Sequence, residues 1–137
     1  MAVLETSFVT GESAIRSYKD LEVWQVAMDV AVACYRVTAK FPREEIYSLT
    51  AQIRRAAASV AANIAEGYGR ETTASFIQFL RIAQGSLKEL ETHLLLASRV
   101  ELAEAGDLAP LLDRCERISK MLRNLIRALA KAQRTET

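Results

Sequence analysis

The sequence is poor in residues that interrupt helices. Five glycines and two prolines leave little material for turns, and there is no strand signal and no internal repeat. The two cysteines, Cys34 and Cys115, stand alone without CxxC spacing, each on a core-facing helical position where a buried free thiol behaves as a small hydrophobe, and a reduced compartment fits. A single histidine, His93, leaves little scope for a histidine-rich metal site or for a base beside either thiol. No uncharged stretch approaches the length needed to cross a bilayer. The opening MAVLETSFVTGES has Glu5 before any basic residue and no apolar core of signal-peptide length. A cytoplasmic protein without a membrane segment is therefore expected.

What is present suits helices. The chain has 137 residues, half of them hydrophobic, and is rich in alanine, leucine, glutamate and arginine. That is one domain, long enough to bury about two thirds of its unfolded surface. The formal charge of +1 hides an asymmetry. Residues 1–107 carry 11 basic and 14 acidic side chains, a net of −3, whereas residues 108–137 carry 7 and 3, a net of +4. A basic end of this kind suits an anionic partner.

The central stretch is Tyr47 to Arg70, YSLTAQIRRAAASVAANIAEGYGR. At about 100° per residue, Leu49, Ile53, Ala56, Val60 and Ile64 form one apolar stripe. Ala51, Ala58, Ala61, Ala62 and Ala65 form a second face of methyl-sized side chains, and Gln52, Arg55, Ser59, Asn63 and Glu66 a thin polar seam. Alanine buries too little area to stabilise a distant packing, so another backbone must come close. This helix is expected at the centre of the fold and at a subunit contact.

Taken in order, residues 1–17 read as an arm whose Leu4, Phe8, Val9 and Ile15 could dock on a neighbour. The first helix is expected near 20–40, with Asp20 as its N-cap and Pro42 beyond its end. It carries two apolar stripes, one with Leu21, Trp24, Met28, Ala31 and Tyr35, the other with Val23, Val26, Val30, Cys34 and Val37. The second helix is expected near 45–67, with Gly67 and Gly69 as a left-handed stop. The third is expected near 73–100, capped by Thr72 or Thr73, with Phe76, Phe79, Leu80, Ala83, Leu87, Leu90, Leu94 and Ala97 inward. Gly85 falls off that stripe and reads as another close backbone approach. The fourth is expected near 107–133, with Asp107 as cap, Pro110 in the first turn and a stripe of leucines and isoleucines. The resulting fold class is all-α: an up-down-up-down four-helix bundle over 18–134, with a tail at 135–137.

Three segments carry a family resemblance: DLEVWQVAMDVAVACYRVTAKFP, YSLTAQIRRAAASVAANIAEGYGR and FLRIAQGSLKELETHLLLASRVEL. From Tyr18 to Lys131 the chain resembles the bacterial four-helix-bundle family named for proteins encoded in ribosomal-RNA intervening sequences. IAEGYGR and GSLKELET are the most specific parts, and many members have proline where this chain has Ala61. The resemblance implies a homopentameric ring without enzymatic activity. A related group serves reverse transcriptases of diversity-generating retroelements, and by that route nucleic acid and a reverse transcriptase become expected partners. Within a ring, the alanine face (Ala51, Ala58, Ala61, Ala62, Ala65) with Val23 and Val30 is the expected oligomer interface.

Few residues offer chemistry. Glu89 and His93 share a helix face at i and i+4, but a di-iron bundle needs Glu-x-x-His pairs on facing helices, so no metal, cofactor or catalytic residue is assigned. The Ser59, Asn63 and Glu66 seam reads more readily as a register-fixing hydrogen-bond network than as a ligand channel. The strongest feature is basic: Lys120, Arg123, Arg127, Lys131 and Arg134 lie on the side of helix four away from its leucines, and Arg81 and Lys88 on helix three are secondary. In a monomer this reads as a solvated face that also suits the helix C-terminus. In a ring the stripes repeat and their potential adds, which makes phosphate contact, with RNA ahead of DNA, the leading functional expectation. The alternative is a scaffold that binds only protein, with little salt dependence.

Overall fold

The computed structural model describes residues 14–136. Among them are four α-helices and no strand: α1, Glu22–Thr38; α2, Leu49–Tyr68; α3, Thr73–Arg99; and α4, Ala105–Glu136. Each helix packs on its neighbours in sequence, α4 also packs on α1, and the diagonal pairs α1–α3 and α2–α4 make no backbone approach. This is a four-helix bundle. Its core is a single cluster built from the expected stripes: Ile53, Ile64, Phe76, Leu80, Leu90, Leu94, Ile118 and Leu122 are all fully enclosed. No helix among the described residues is long and apolar enough to cross a membrane.

The helix ends differ from expectation in instructive ways. Asp20 does not cap α1. It closes a capping box around a 3-10 turn, Tyr18–Asp20, where Ser17 Oγ accepts from Lys19 N and the Asp20 carboxylate accepts from Arg16 N and Ser17 N. The packed chain accordingly starts before residue 18, since Ile15 is only 3% exposed. The remainder of the expected arm, through Ser13, lies outside the described residues. A second 3-10 turn, Arg43–Glu45, follows Pro42 and delays α2 to Leu49.

Thr72 caps α3 as expected, its Oγ1 accepting from Ser75 N at 3.1 Å. The glycine stop of α2 is not left-handed, however. Gly67 lies buried inside the helix, and Gly69 ends it with φ −75°. The left-handed position is Glu101, φ 64°, at the end of α3. Leu102 N donates to Ala97 O and Glu101 N to Ser98 O, the two bonds of a Schellman motif. Helix α4 starts two residues before Asp107, so Pro110 falls in its second turn, and it continues through Glu136, past the expected tail boundary.

Candidate nucleic-acid interface and assembly faces

Helix α4 reads as amphipathic because its leucines recur at helical spacing and its cations fill the intervals. The structure places Lys120, Arg123, Arg127, Lys131 and Arg134 on its exposed side. Their electrostatic settings differ. Lys120 pairs with Glu116 at 3.6 Å, and Lys88 on α3 pairs with Glu91 at 3.1 Å. Lys88, Lys120 and Arg123 share a cleft between α3 and α4 with Glu91, Asp113 and Glu116, so that end of the stripe is of mixed charge. Among the described residues no carboxylate pairs with Arg123, Arg127, Lys131 or Arg81. Arg123, at the edge of that cleft, Arg127 and Lys131 therefore form a positive stretch without an ion-pair partner among the described residues.

The alanine face of α2 is only partly outward. Ala51, Ala58 and Ala62 are exposed and Ala65 is half-buried, but Ala61 is buried inside the protomer. Val23 and Val30, expected at the subunit contact, are also core residues, 4% and 2% exposed. On α1 the outward large side chains come from the other stripe, through Trp24, Met28 and Tyr35, while its Leu21 and Ala31 are buried. Tyr18, Trp24, Met28, Val32 and Tyr35 line an open groove of about 750 Å³ between α1 and α2, floored by Ala58, Ala61, Ala62 and Ala65. The valine stripe with Cys34 and Thr38 packs inward because its compact side chains let the helices approach. The signal for the correct choice was the bulkier Trp24, Met28 and Tyr35 stripe, with Arg36 at its edge.

One cation at this groove is built into the fold. Arg54 Nε donates to Thr38 Oγ1 at 2.8 Å, and its guanidinium lies 4.5 Å from the Tyr35 ring centre. The Thr38 hydroxyl in turn donates to Cys34 O at 2.7 Å. The sequence reading did not single out this chain of contacts.

The polar seam of α2 divides. Ser59 Oγ bonds Ser86 Oγ at 2.8 Å across to α3, and Asn63 Nδ2 donates to Ser59 O and Oγ. This is a compact interhelical network, the register-fixing arrangement. Glu66 lies apart from it and pairs with Arg70, and Gln52 accepts from Arg55. Gly85 does not touch another backbone, and a Cβ there would meet nothing within 4 Å.

His93 and Glu89 share a second open groove, between the start of α2 and the end of α3, of about 830 Å³. His93 Nε2 lies 3.5 Å from Glu89 Oε1, while the buried Nδ1 has no hydrogen-bond partner. No cluster of three or more metal-ligating side chains occurs among the described residues. The thiols of Cys34 and Cys115 are enclosed in the core, where loss of water pushes each up to about 12. Such thiols act as small hydrophobes.

Comparison with known proteins places this arrangement. No curated protein matches the chain. Among solved structures, a crystal structure of a protein of unknown function from the S23 ribosomal protein family of Bacteroides thetaiotaomicron VPI-5482 is similar, with a TM-score of 0.69 and 26% identity. The match covers 76% of this chain and 97% of that one. The profile of the family described as 23S rRNA-intervening sequence protein matches residues 19–124, from the turn before α1 into the second half of α4. The chain belongs to the 23S rRNA-intervening sequence protein family.

Proposed function

We propose that this protein is a non-catalytic nucleic-acid-binding adaptor that contacts phosphates through the C-terminal half of α4. The observation that carries the reading is the stretch Arg123, Arg127 and Lys131, exposed and without carboxylate partners among the described residues. Guanidinium groups on such a stripe suit phosphate oxygens, whereas base readout would need side chains directed into a groove. The family name, which refers to ribosomal RNA, favours RNA over DNA. Contacts such as Ser59–Ser86 and Gly67–Phe76 support an up-down-up-down topology. The outward apolar groove between α1 and α2 supports a ring of copies, the pentamer that the family resemblance implies. In such a ring the basic stripes repeat and their potential adds. An accessory role to a reverse transcriptase rests on the resemblance alone.

The test is filter binding at low salt with single-stranded RNA, structured RNA and duplex DNA. Retention that falls steeply with added salt supports the reading, because phosphate neutralisation releases condensed counterions. Absence of retention for every probe leaves the protein-binding scaffold in its place.

A further inference from the structure

Among the large apolar side chains left exposed, Met28, Val32 and Tyr35 line the α1/α2 groove and Leu96 and Val100 the groove at the end of α3, while Ile46, Tyr47, Ile82 and Leu95 line neither. On α3, Ile82, Glu89, Leu96 and Val100 recur at helical spacing, and Leu96 and Val100 line the second groove with His93 and Leu49. Each chain therefore presents two grooves, one on either side of α2: an apolar one against α1, and one against α3 in which Leu49, Leu96, Val100 and Leu102 stand among polar side chains.

The rims of these faces differ in sign. Arg36 lines the α1/α2 groove, Arg54 is stacked on Tyr35, and no carboxylate contributes to its wall. Glu45 and Glu89 line the α2/α3 groove, and no cation contributes to its wall. We infer that the α2/α3 face is the docking surface for a second copy of this chain, and that it receives that copy's α1/α2 face. The inference rests on the oligomeric reading above and adds which surfaces pair.

Two unlike faces make the contact heterologous, so each copy offers one free face of each kind until the assembly closes. Helix α2 borders both grooves, so it lies between the two contacts that each copy makes. Helix α4, which makes no approach to α2, lies away from both, which leaves its basic stripe uncovered.

The experiment uses two variants at exposed positions, both expected to retain the helical circular-dichroism spectrum. Val32→Glu places a carboxylate in the α1/α2 groove, opposite the acidic rim it should meet. Leu96→Lys places an amine in the α2/α3 groove, opposite the cations it should meet. Light scattering should show each variant alone as a monomer and an equimolar mixture as an assembly of at least one copy of each, because each variant keeps the face that the other has lost. An oligomeric variant shows that its face is unused, and a mixture that stays monomeric shows that the two faces are not complementary; either overturns the pairing but leaves the oligomer standing. A monomeric unmodified chain overturns both. Should a variant lose its helices, Arg36→Glu and Glu89→Lys serve instead. Each should weaken association on the order of tenfold, and the two changes combined in one chain should restore part of it.

Discussion

Gly67 lies so close beneath Phe79 that a Cβ on the glycine would stand 2.7 Å from the Cβ of the phenylalanine. Phe76 Cδ1 would be only 2.9 Å away. This approach limits what α2 can carry where it meets α3, and it falls beside the turn that joins them. Gly67→Ala gains helix propensity but forces the helices apart, so we expect a net loss of about 1–2 kcal/mol. Gly85→Ala, in open space, should instead gain about 0.5–1 kcal/mol from the same propensity. Urea denaturation of the pair checks this. Equal shifts of the same sign would contradict the close approach.

Glu101 holds a left-handed conformation that glycine adopts at little cost. The Schellman bonds at this position need only the backbone. Glu101→Gly should therefore raise stability by about 0.5–1 kcal/mol, the strain relieved exceeding the flexibility added to the unfolded chain. Glu101→Val, branched at Cβ, should lower it. Thermal unfolding of both variants reads the sign.

The Thr38 hydroxyl both accepts from Arg54 and donates to Cys34 O. Thr38→Val keeps the shape and removes both bonds, at an expected cost of about 1–2 kcal/mol. Arg54→Met should lose much of the same energy. A double-mutant cycle then gives a coupling well above zero, and additive single effects would show that the contact contributes little.

Arg123→Gln combined with Arg127→Gln should weaken binding similarly for unrelated nucleic acids. The slope of log affinity against log salt should flatten by up to about one per lost phosphate contact. Glu22→Gln and Asp29→Asn are the controls, and should leave affinity unchanged or slightly raised. A loss confined to one sequence would point to base contacts instead.

The helix count and the inward stripes of α2, α3 and α4 were legible because periodicity is a local property of the chain. Thr72 at the start of α3 was legible for the same reason. What was not legible depends on neighbours. Asp20 has the chemistry of a cap, but the short turn around Ser17 claims it first. Gly67 resembles a stop signal in sequence, and only the arrival of Phe76 and Phe79 shows it as a contact. Val23 and Val30 belong to one of two apolar stripes of similar strength, and the choice between them was made by α4 and α2 packing around α1. The basic stripe was legible as composition. Its acidic interruption by Asp113 and Glu116 was legible too, since both stand on the same helix; the share of Lys88 and Glu91 was not, because they reach that cleft from a different helix.

The two enclosed thiols give the molecule an internal clock. A thiol reacts with alkylating reagents as the thiolate, and burial that pushes Cys34 and Cys115 up to about 12 suppresses that form at neutral pH. Neither sulfur is reachable until the helices around it separate, since both residues are fully enclosed. Labelling of the native protein therefore reports how often the core opens, with no probe added and no residue changed. Because the two sit on α1 and α4, equal labelling rates would mean that these helices leave the core as a single cooperative unit.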